Sequence, residues 1–121
     1  MAVTTTPLSN PVAAALVIAT DSDGTGENDV RSGASTVYMI DIDNAANAAV
    51  TYSKFYNALA PTIGTTAPDL ILPTAASTRA VVAFPSGFAF GTALSFASVT
   101  AAGTAGTTNP TSNVTVRIVC S

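Results

Sequence analysis

Histidine and tryptophan are absent from this chain of 121 residues, and cysteine occurs once, as Cys120. Without histidine, the chain has no Ser-His-Asp or Cys-His catalytic system and no histidine-ligated zinc site. A lone cysteine forms no disulfide within the chain, no CxxC redox pair and no cysteine zinc site. We therefore expect no enzymatic activity, cofactor or metal. We expect Cys120 to be an idle or buried thiol, with an intermolecular disulfide as the alternative.

Charge is also scarce, since charged residues make up 9% of the chain and only four residues are basic. The net charge of −3 argues against a nucleic-acid partner, because affinity for phosphate comes mainly from Lys and Arg. A soluble monomer usually carries about 25–35% charged residues on its surface. We infer that other subunits cover part of this surface, which favours a component of an assembly over a free enzyme.

No apolar run is long enough to cross a membrane, so we expect no membrane partner. The run VAAALVIA, residues 12–19, is far shorter than the ~20 residues of a membrane span, and no basic residue precedes it as in a signal peptide. The length favours one domain with its own core. The first eleven residues, MAVTTTPLSNP, predict an extended arm, because proline and β-branched residues disfavour a helix. Residues 12–121 then form the domain.

The domain is predicted to be all-β, a β-sandwich or jelly roll of about seven or eight short antiparallel strands. No run shows the 3.6-residue period of an amphipathic helix. Alternating or β-branched runs between turn residues predict strands at residues 35–43, 50–57, 69–73, 78–84 and 114–120, with one or two more in 88–100. Residues 14–20 fit a buried strand or a short helix, and the β-branched residues in LVIAT favour the strand.

Turn residues predict how some of these strands begin and end. The sequence NAANAA, residues 44–49, predicts a hairpin that joins the strands before and after it. The sequence PSG, residues 85–87, predicts a turn that ends the strand before it. Pro73 predicts that its strand lies at a sheet edge, because proline donates no ladder hydrogen bond.

Asp41 and Asp43 are two residues apart on a predicted strand and therefore share a face with Val37, opposite Ile40. Paired carboxylates can act as acid and base in a glycosidase, but such a site needs a deep cleft lined with aromatic side chains. We therefore expect a solvated strand end or a salt bridge. The basic candidates for that bridge are Arg31, Lys54 and Arg79.

The stretch DSDGTGENDV, residues 21–30, holds four of the seven acidic residues. Counted as a calcium loop, it has Gly26 at the turn position, but Ser32 stands where a bidentate Glu belongs. The favoured hypothesis is an exposed, mobile loop of Asx turns. The alternatives are an anionic patch that docks on a basic neighbour and an irregular cation site. The acidic residues in question are Asp21, Asp23, Glu27 and Asp29.

Two stretches in the second half of the chain form a pattern of known type. YSKFYNALAPTIGTTAPDLILPTAA begins at Tyr52, FPSGFAFGTALSFASVT begins at Phe84, and a Gly/Thr-rich loop and VTVRIV follow. The order Y-x-K-x-Y, P-T-x-G-T and F-P-x-G-x-x-F resembles small virion proteins of tailed bacteriophages, including phages of cyanobacteria. The resemblance implies a β-sandwich of the particle, such as a head decoration or cement protein that is often trimeric. Proteins of this look also occur in tails and fibres.

We therefore expect a capsid decoration or cement protein on the surface of the phage head, assembled in the cytoplasm of the host bacterium. It would bridge subunits of the major capsid protein and form a homo-oligomer, with a trimer favoured. The contacts are expected in the arm and in the loop at residues 61–68, and the residues concerned are Val3, Thr4, Thr5, Thr6, Pro7, Pro11, Pro61, Thr62, Gly64 and Pro68.

Two alternatives stay open. One is a receptor- or glycan-binding module of a tail or fibre, with residues 103–113 in contact and three tyrosines available for stacking. The other is a calcium-dependent adhesion module that uses the acidic stretch. The stacking candidates are Tyr38, Tyr52 and Tyr56.

Overall fold

The computed structural model describes residues 15–121, which form seven strands and no helix. Within this range there is accordingly no helix that could span a membrane. The predicted arm, with its six expected contact residues from Val3 to Pro11, lies outside the described residues. The strands are β1 (Ala15–Ser22), β2 (Ser35–Asp43), β3 (Thr51–Tyr56), β4 (Leu70–Thr74), β5 (Arg79–Phe90), β6 (Ser95–Val99) and β7 (Val114–Cys120).

The strands form two antiparallel sheets. The large sheet has the order β1-β7-β2-β5, and the small sheet has the order β4-β3-β6. Both contribute to one core, in which Ile40 of β2 and Ile118 of β7 belong to the same buried cluster as Phe55 of β3 and Phe96 of β6. The predicted all-β sandwich is confirmed. Pro73 lies in the edge strand β4, as its missing N–H predicts.

Strand β7 shows how strict alternation positions the core. Val114, Val116, Ile118 and Cys120 are fully buried, whereas Arg117 lies on the other face, as predicted. Burial of each large aliphatic side chain stabilises the fold by about 1.5–3 kcal/mol. Cys120 is a free, buried thiol, in agreement with the first of the two expectations for it.

The predicted hairpin around residues 44–49 is wrong, because β2 and β3 belong to different sheets. The turn carries the chain from one sheet to the other. Its Asn44 side chain is fully buried and donates to the carbonyl oxygens of Thr74, the last residue of β4 in the small sheet, and of Ala75, the residue after it. Turn residues show where a strand ends, but long-range pairing decides which strand becomes its neighbour.

The predicted turn at residues 85–87 is also wrong, since β5 is continuous through it. Val37 pairs with Phe88 and Met39 pairs with Ala83, so the four residues between form a bulge opposite a single residue of β2. A proline and a glycine at these positions bend the strand without ending it.

The register shift between Val37 and Met39, opposite this bulge, changes which side chains of β2 point into the core. Val37 and Ile40 are both fully buried in the core, although they are three residues apart. Asp41 follows on the opposite, outer side of the sheet. The prediction that Val37 and Asp41 share a face, opposite Ile40, is therefore wrong.

The bulge requires glycine at position 87. Gly87 has a φ of +82°, and a Cβ there would lie 2.4 Å from Cγ2 of Thr36. Gly87→Ala is expected to lower the free energy of unfolding by about 2 kcal/mol, because L side chains rarely adopt this conformation. Gly91→Ala is the control, since a Cβ at Gly91 would meet no atom within 4 Å. Urea unfolding measures both, and an equal loss in the two variants would contradict the prediction.

Candidate functional site

The two sheets differ in how their outer faces are covered. Every residue of β6 and all but one of β3 are buried, so other parts of the chain cover both faces of the small sheet at these two strands, while Ile71 and Pro73 of β4 are exposed. In the large sheet, β1 and β5 have an exposed residue at most alternate positions. On the outer side of the large sheet, Leu16, Ile18 and Val81 of the two edge strands are exposed, whereas Asp41 of the central strand β2 is buried.

Lys54 explains why the small sheet is covered. Its side chain is fully buried, and its Nζ donates to the carbonyl oxygens of Gly103 and Gly106 at 2.6 and 3.1 Å. These bonds hold the Gly/Thr-rich loop, residues 101–109, on the outer side of β3. Burial lowers the pKa of the Lys54 ammonium below its usual range.

The acidic stretch is bound to the edge of the small sheet. Glu27 and Phe96 of β6 exchange two backbone hydrogen bonds of 2.8 and 3.0 Å, and the N–H of Ser98 donates to the carbonyl of Asp23 at 2.8 Å. The N–H of Thr25 donates to Oδ1 of Asp23 at 2.8 Å, which is the predicted Asx turn. The turn chemistry is confirmed, but the stretch also pairs with β6 as an additional edge segment.

The carboxylates of this segment do not converge. Within residues 15–121, no group of three or more His, Cys, Asp or Glu side chains is placed to hold a metal ion. Burial is the main cause that raises the pKa of the Glu27 carboxyl above its ordinary value of 4.5, and the charges of Asp21 and Asp23 raise it further. The burial of the Glu27 carboxylate and its repulsion from Asp21 and Asp23 are therefore an electrostatic cost of covering the edge of β6.

Glu27→Gln should consequently stabilise the protein at neutral pH. The folded state binds the Glu27 proton more tightly than the unfolded chain does, so stability falls as pH rises from about 4.5 through the folded-state pKa. We expect a gain on the order of 0.5 kcal/mol at pH 7, the scale of partly exposed charge interactions. The gain should vanish at pH values below the unfolded-state pKa.

Thermal unfolding of both proteins at a series of pH values measures this difference. A repeat with millimolar calcium serves as the control. If calcium raised the Tm of the wild type but not of the Glu27→Gln variant, the cation-site alternative would be favoured instead.

The outer side of the large sheet, called the open face below, combines six apolar residues with four charged residues and one threonine. Leu16 and Ile18 of β1 and Val81 of β5 expose 57%, 54% and 59% of their surface there. Cross-strand pairing forms one row from Leu16 to Ala83 and a second row from Ile18 to Val81. The open face consists of Leu16, Ile18, Met39, Asp41, Asp43, Arg79, Val81, Ala83, Thr115, Arg117 and Val119.

An ion pair lies within the open face. Nε of Arg79 donates to Oδ1 of Asp41 at 2.8 Å, and a second guanidinium nitrogen contacts Oδ2, which confirms one of the salt bridges considered from the sequence. The hydrogen bond from Arg79 lowers the pKa of the Asp41 carboxyl, and the charges of Arg79 and Arg117 lower it further against the opposing effect of burial. Asp43 accepts a hydrogen bond from the N–H of Ala45 instead. The two carboxylates therefore have separate structural partners.

The predicted contact loop, residues 61–68, lies on the small-sheet side. Thr62 is exposed, whereas Pro61, Gly64 and Pro68 are half-buried. A Cβ on Gly64 would lie 2.5 Å from Cγ2 of Thr107, so this loop packs against the Gly/Thr-rich loop. The structure does not bring these four residues into the open face, and their role in subunit contact stays a prediction.

A cleft of about 140 Å³ lies at the end of the sandwich near residues 103–113. Oγ1 of Thr51 borders it and, although buried, has no hydrogen-bond partner among the described residues. Of the tyrosines considered for stacking, Tyr56 is fully buried and is therefore wrong as a ligand contact, while Tyr38 and Tyr52 are half-buried. The cleft is lined by Asn47, Ala48, Ala49, Thr51, Thr100, Pro110 and Thr111.

Sequence reasoning missed Leu16, Ile18 and Val81. Their strands, ALVIAT and RAVVAF, have apolar residues at both odd and even positions, which indicates that both faces of each strand are apolar. The pattern does not distinguish a strand covered on both sides from one with an exposed apolar face. Burial in the folded chain makes that distinction.

No family model matches this chain, and neither does any curated protein or solved structure. The case for a function therefore depends on the open face, the cleft and the charge distribution.

Proposed function

We propose that this protein is a structural virion protein, a capsid decoration or cement protein that binds the outer surface of a phage head and bridges subunits of the major capsid protein. The observation that carries the proposal is the open face, where three aliphatic side chains are more than half exposed in a chain with only 9% charged residues. Exposed apolar surface of this kind is typical of a contact with another protein.

The charge of the open face suits a contact that excludes water. Its acidic residues, Asp41 and Asp43, are matched in number by Arg79 and Arg117. Asp41 is already paired with Arg79, so docking would not bury an isolated carboxylate at that position. The chain's net charge of −3 therefore resides outside the open face.

Binding to heads tests the proposal. Purified protein is added to expanded phage heads that lack it, and copies per head are counted by quantitative mass spectrometry. We expect saturable binding at a fixed stoichiometry to the capsid protein. Absence of binding by the wild-type chain would reject the capsid role.

Val81→Lys tests the part played by the open face. An added charge on the open face should lower occupancy at least tenfold, because docking would remove water from the ammonium and the carboxylate opposite, Asp41, is already paired with Arg79. Leu59→Lys is the matched control, since Leu59 is 57% exposed but lies in the loop after β3. Equal occupancy for both variants would place the contact elsewhere, such as residues 1–11 or 61–68.

A receptor- or glycan-binding module of a tail or fibre is the second candidate. The cleft beside residues 103–113 favours it, because Thr51 offers a buried hydroxyl without a partner there. Copy number per particle separates the two candidates. Hundreds of copies fit a shell protein, whereas a few dozen or fewer fit a tail component.

A further inference from the structure

We infer that the protein forms a two-fold dimer through the free edge of β1, which joins two large sheets into one sheet of eight strands. The inference concerns the association of two copies of this chain and does not depend on the capsid role. It comes from a comparison of the four sheet edges that the described residues present.

Three of the four edges carry features that block further strand pairing. Pro73 interrupts the donors of β4, and β5 contains Pro85 within its bulge. The acidic segment already pairs with β6. Natural proteins use these same devices to keep sheet edges from pairing with other chains.

From Ala15 to Ala19 the edge of β1 has none of these features, and its own irregularity and Asp21 come after this segment. From Ala15 to Thr20 it contains no proline, glycine or charged residue, and among residues 15–121 its one neighbour is β7. A regular, uncharged edge strand presents a row of backbone donors and acceptors to another chain. Its outward side chains, Leu16 and Ile18, are both more than half exposed.

Alternation restricts the register of the pairing. In one continuous sheet, directly opposed residues point to the same face, so a two-fold axis passes between the two copies of one β1 residue. With the axis at Val17, Leu16 lies opposite Ile18 of the partner copy, and both apolar side chains gain a cross-strand neighbour on the open face. Asp21 then falls beyond the paired residues, so the acidic side chains of the two copies do not face each other.

Charge favours a second copy as the occupant. A molecule with a net charge of −3 repels its copies over most of its surface. The open face beside β1 has equal numbers of acidic and basic residues, and the edge segment from Ala15 to Thr20 has no charge. Pairing at β1 therefore brings two copies together where the repulsion is lowest.

Sedimentation equilibrium of the full-length chain tests the inference at roughly 1–200 μM, because a contact smaller than a standard interface gives a weak dimer. The wild type should approach twice the chain mass of 12.0 kDa. A monomer throughout, as expected if residues 1–14 of the same chain cover the edge, would overturn the inference, and so would a trimer.

Variants test the edge and its register. Leu16→Lys with Ile18→Lys should give a monomer with an unchanged circular dichroism spectrum, because both side chains already face solvent and charge on an edge strand prevents pairing. Ile18→Thr keeps a β-branched strand residue and should weaken the dimer at least tenfold. Leu59→Lys should remain dimeric. A dimer that survives both β1 variants, or that is lost equally in Leu59→Lys, would overturn the inference.

A charge-complementary double variant distinguishes this register from any other pairing. Leu16→Lys combined with Ile18→Glu places opposite charges across the axis twice when the axis passes through Val17. It should dimerise at low salt more strongly than the variant with two lysines, and lose this advantage at high salt. Equal association of the two double variants would overturn the register.

Discussion

Asn44→Asp is expected to lower the free energy of unfolding by at least about 4 kcal/mol, because one buried amide connects the two sheets. Nδ2 of Asn44 lies 3.0–3.2 Å from the carbonyl oxygens of Ala49, Thr74 and Ala75. Its Oδ1 accepts a hydrogen bond of 2.9 Å from Asn47. An ionised aspartate has no proton to donate and would place a negative charge against these three oxygens.

The loss should depend on pH. A buried aspartate that faces three carbonyl oxygens, with the Asn47 amide as its one side-chain donor, has a raised pKa in the folded state, so the folded protein binds a proton that the unfolded chain releases. Stability of the variant should therefore fall as pH rises above about 4, the unfolded-state pKa of aspartate. Urea unfolding at acid and neutral pH measures this dependence.

Two further variants serve as references for Asn44→Asp. Asn44→Ala leaves the carbonyls without a donor but adds no charge, so it should cost less at pH 7. Asn113→Asp makes the same chemical change at an exposed position and should cost under about 0.5 kcal/mol. Similar losses at positions 44 and 113 would show that the Asn44 network does not hold the sheets together.

Lys54→Met is expected to lower the free energy of unfolding by about 3 kcal/mol and the Tm by roughly 10 °C. Methionine fills a similar volume, but it leaves the carbonyls of Gly103 and Gly106 without their buried donor. The loop that covers β3 should then open locally. Compared with the wild type, the variant should show faster hydrogen exchange of backbone amides in residues 101–109 and unchanged exchange in β7.

Arg31→Met is the control for Lys54→Met, because it removes one positive charge at a side chain whose Nε makes a single hydrogen bond of 3.2 Å, to Ser121. We expect a loss of under about 1 kcal/mol and no change in the loop. Faster loop exchange in the Arg31 variant to the same extent would show that net charge, rather than the Lys54 contacts, controls the loop.

Local patterns predicted the strands well. VTVRIVC alternates without interruption, and its four inward residues are the ones that the fold buries. ALVIAT became β1, and DLILP became the edge strand β4. These predictions succeeded because a two-residue period and the missing N–H of proline act on neighbouring residues alone.

The candidate site was predicted less well. The sequence suggested contact through Thr- and Pro-rich segments, but residues 1–11 lie outside the described range and the loop at 61–68 packs against the Gly/Thr-rich loop. The acidic stretch looked like a free loop, yet its backbone pairs with β6. Neither contact leaves a local signal in the sequence, because the two segments that meet in each contact lie far apart along the chain.

The sequence by itself determined that this protein is all-β, where most strands lie and which side of β7 enters the core. Only the tertiary structure decided that β2 and β3 separate into different sheets, that β5 continues through its bulge, and that the open face of the large sheet exposes aliphatic side chains. The reason is physical. Side-chain alternation is a property of one strand, whereas pairing, bulges and the covering of a face depend on contacts between residues far apart along the chain.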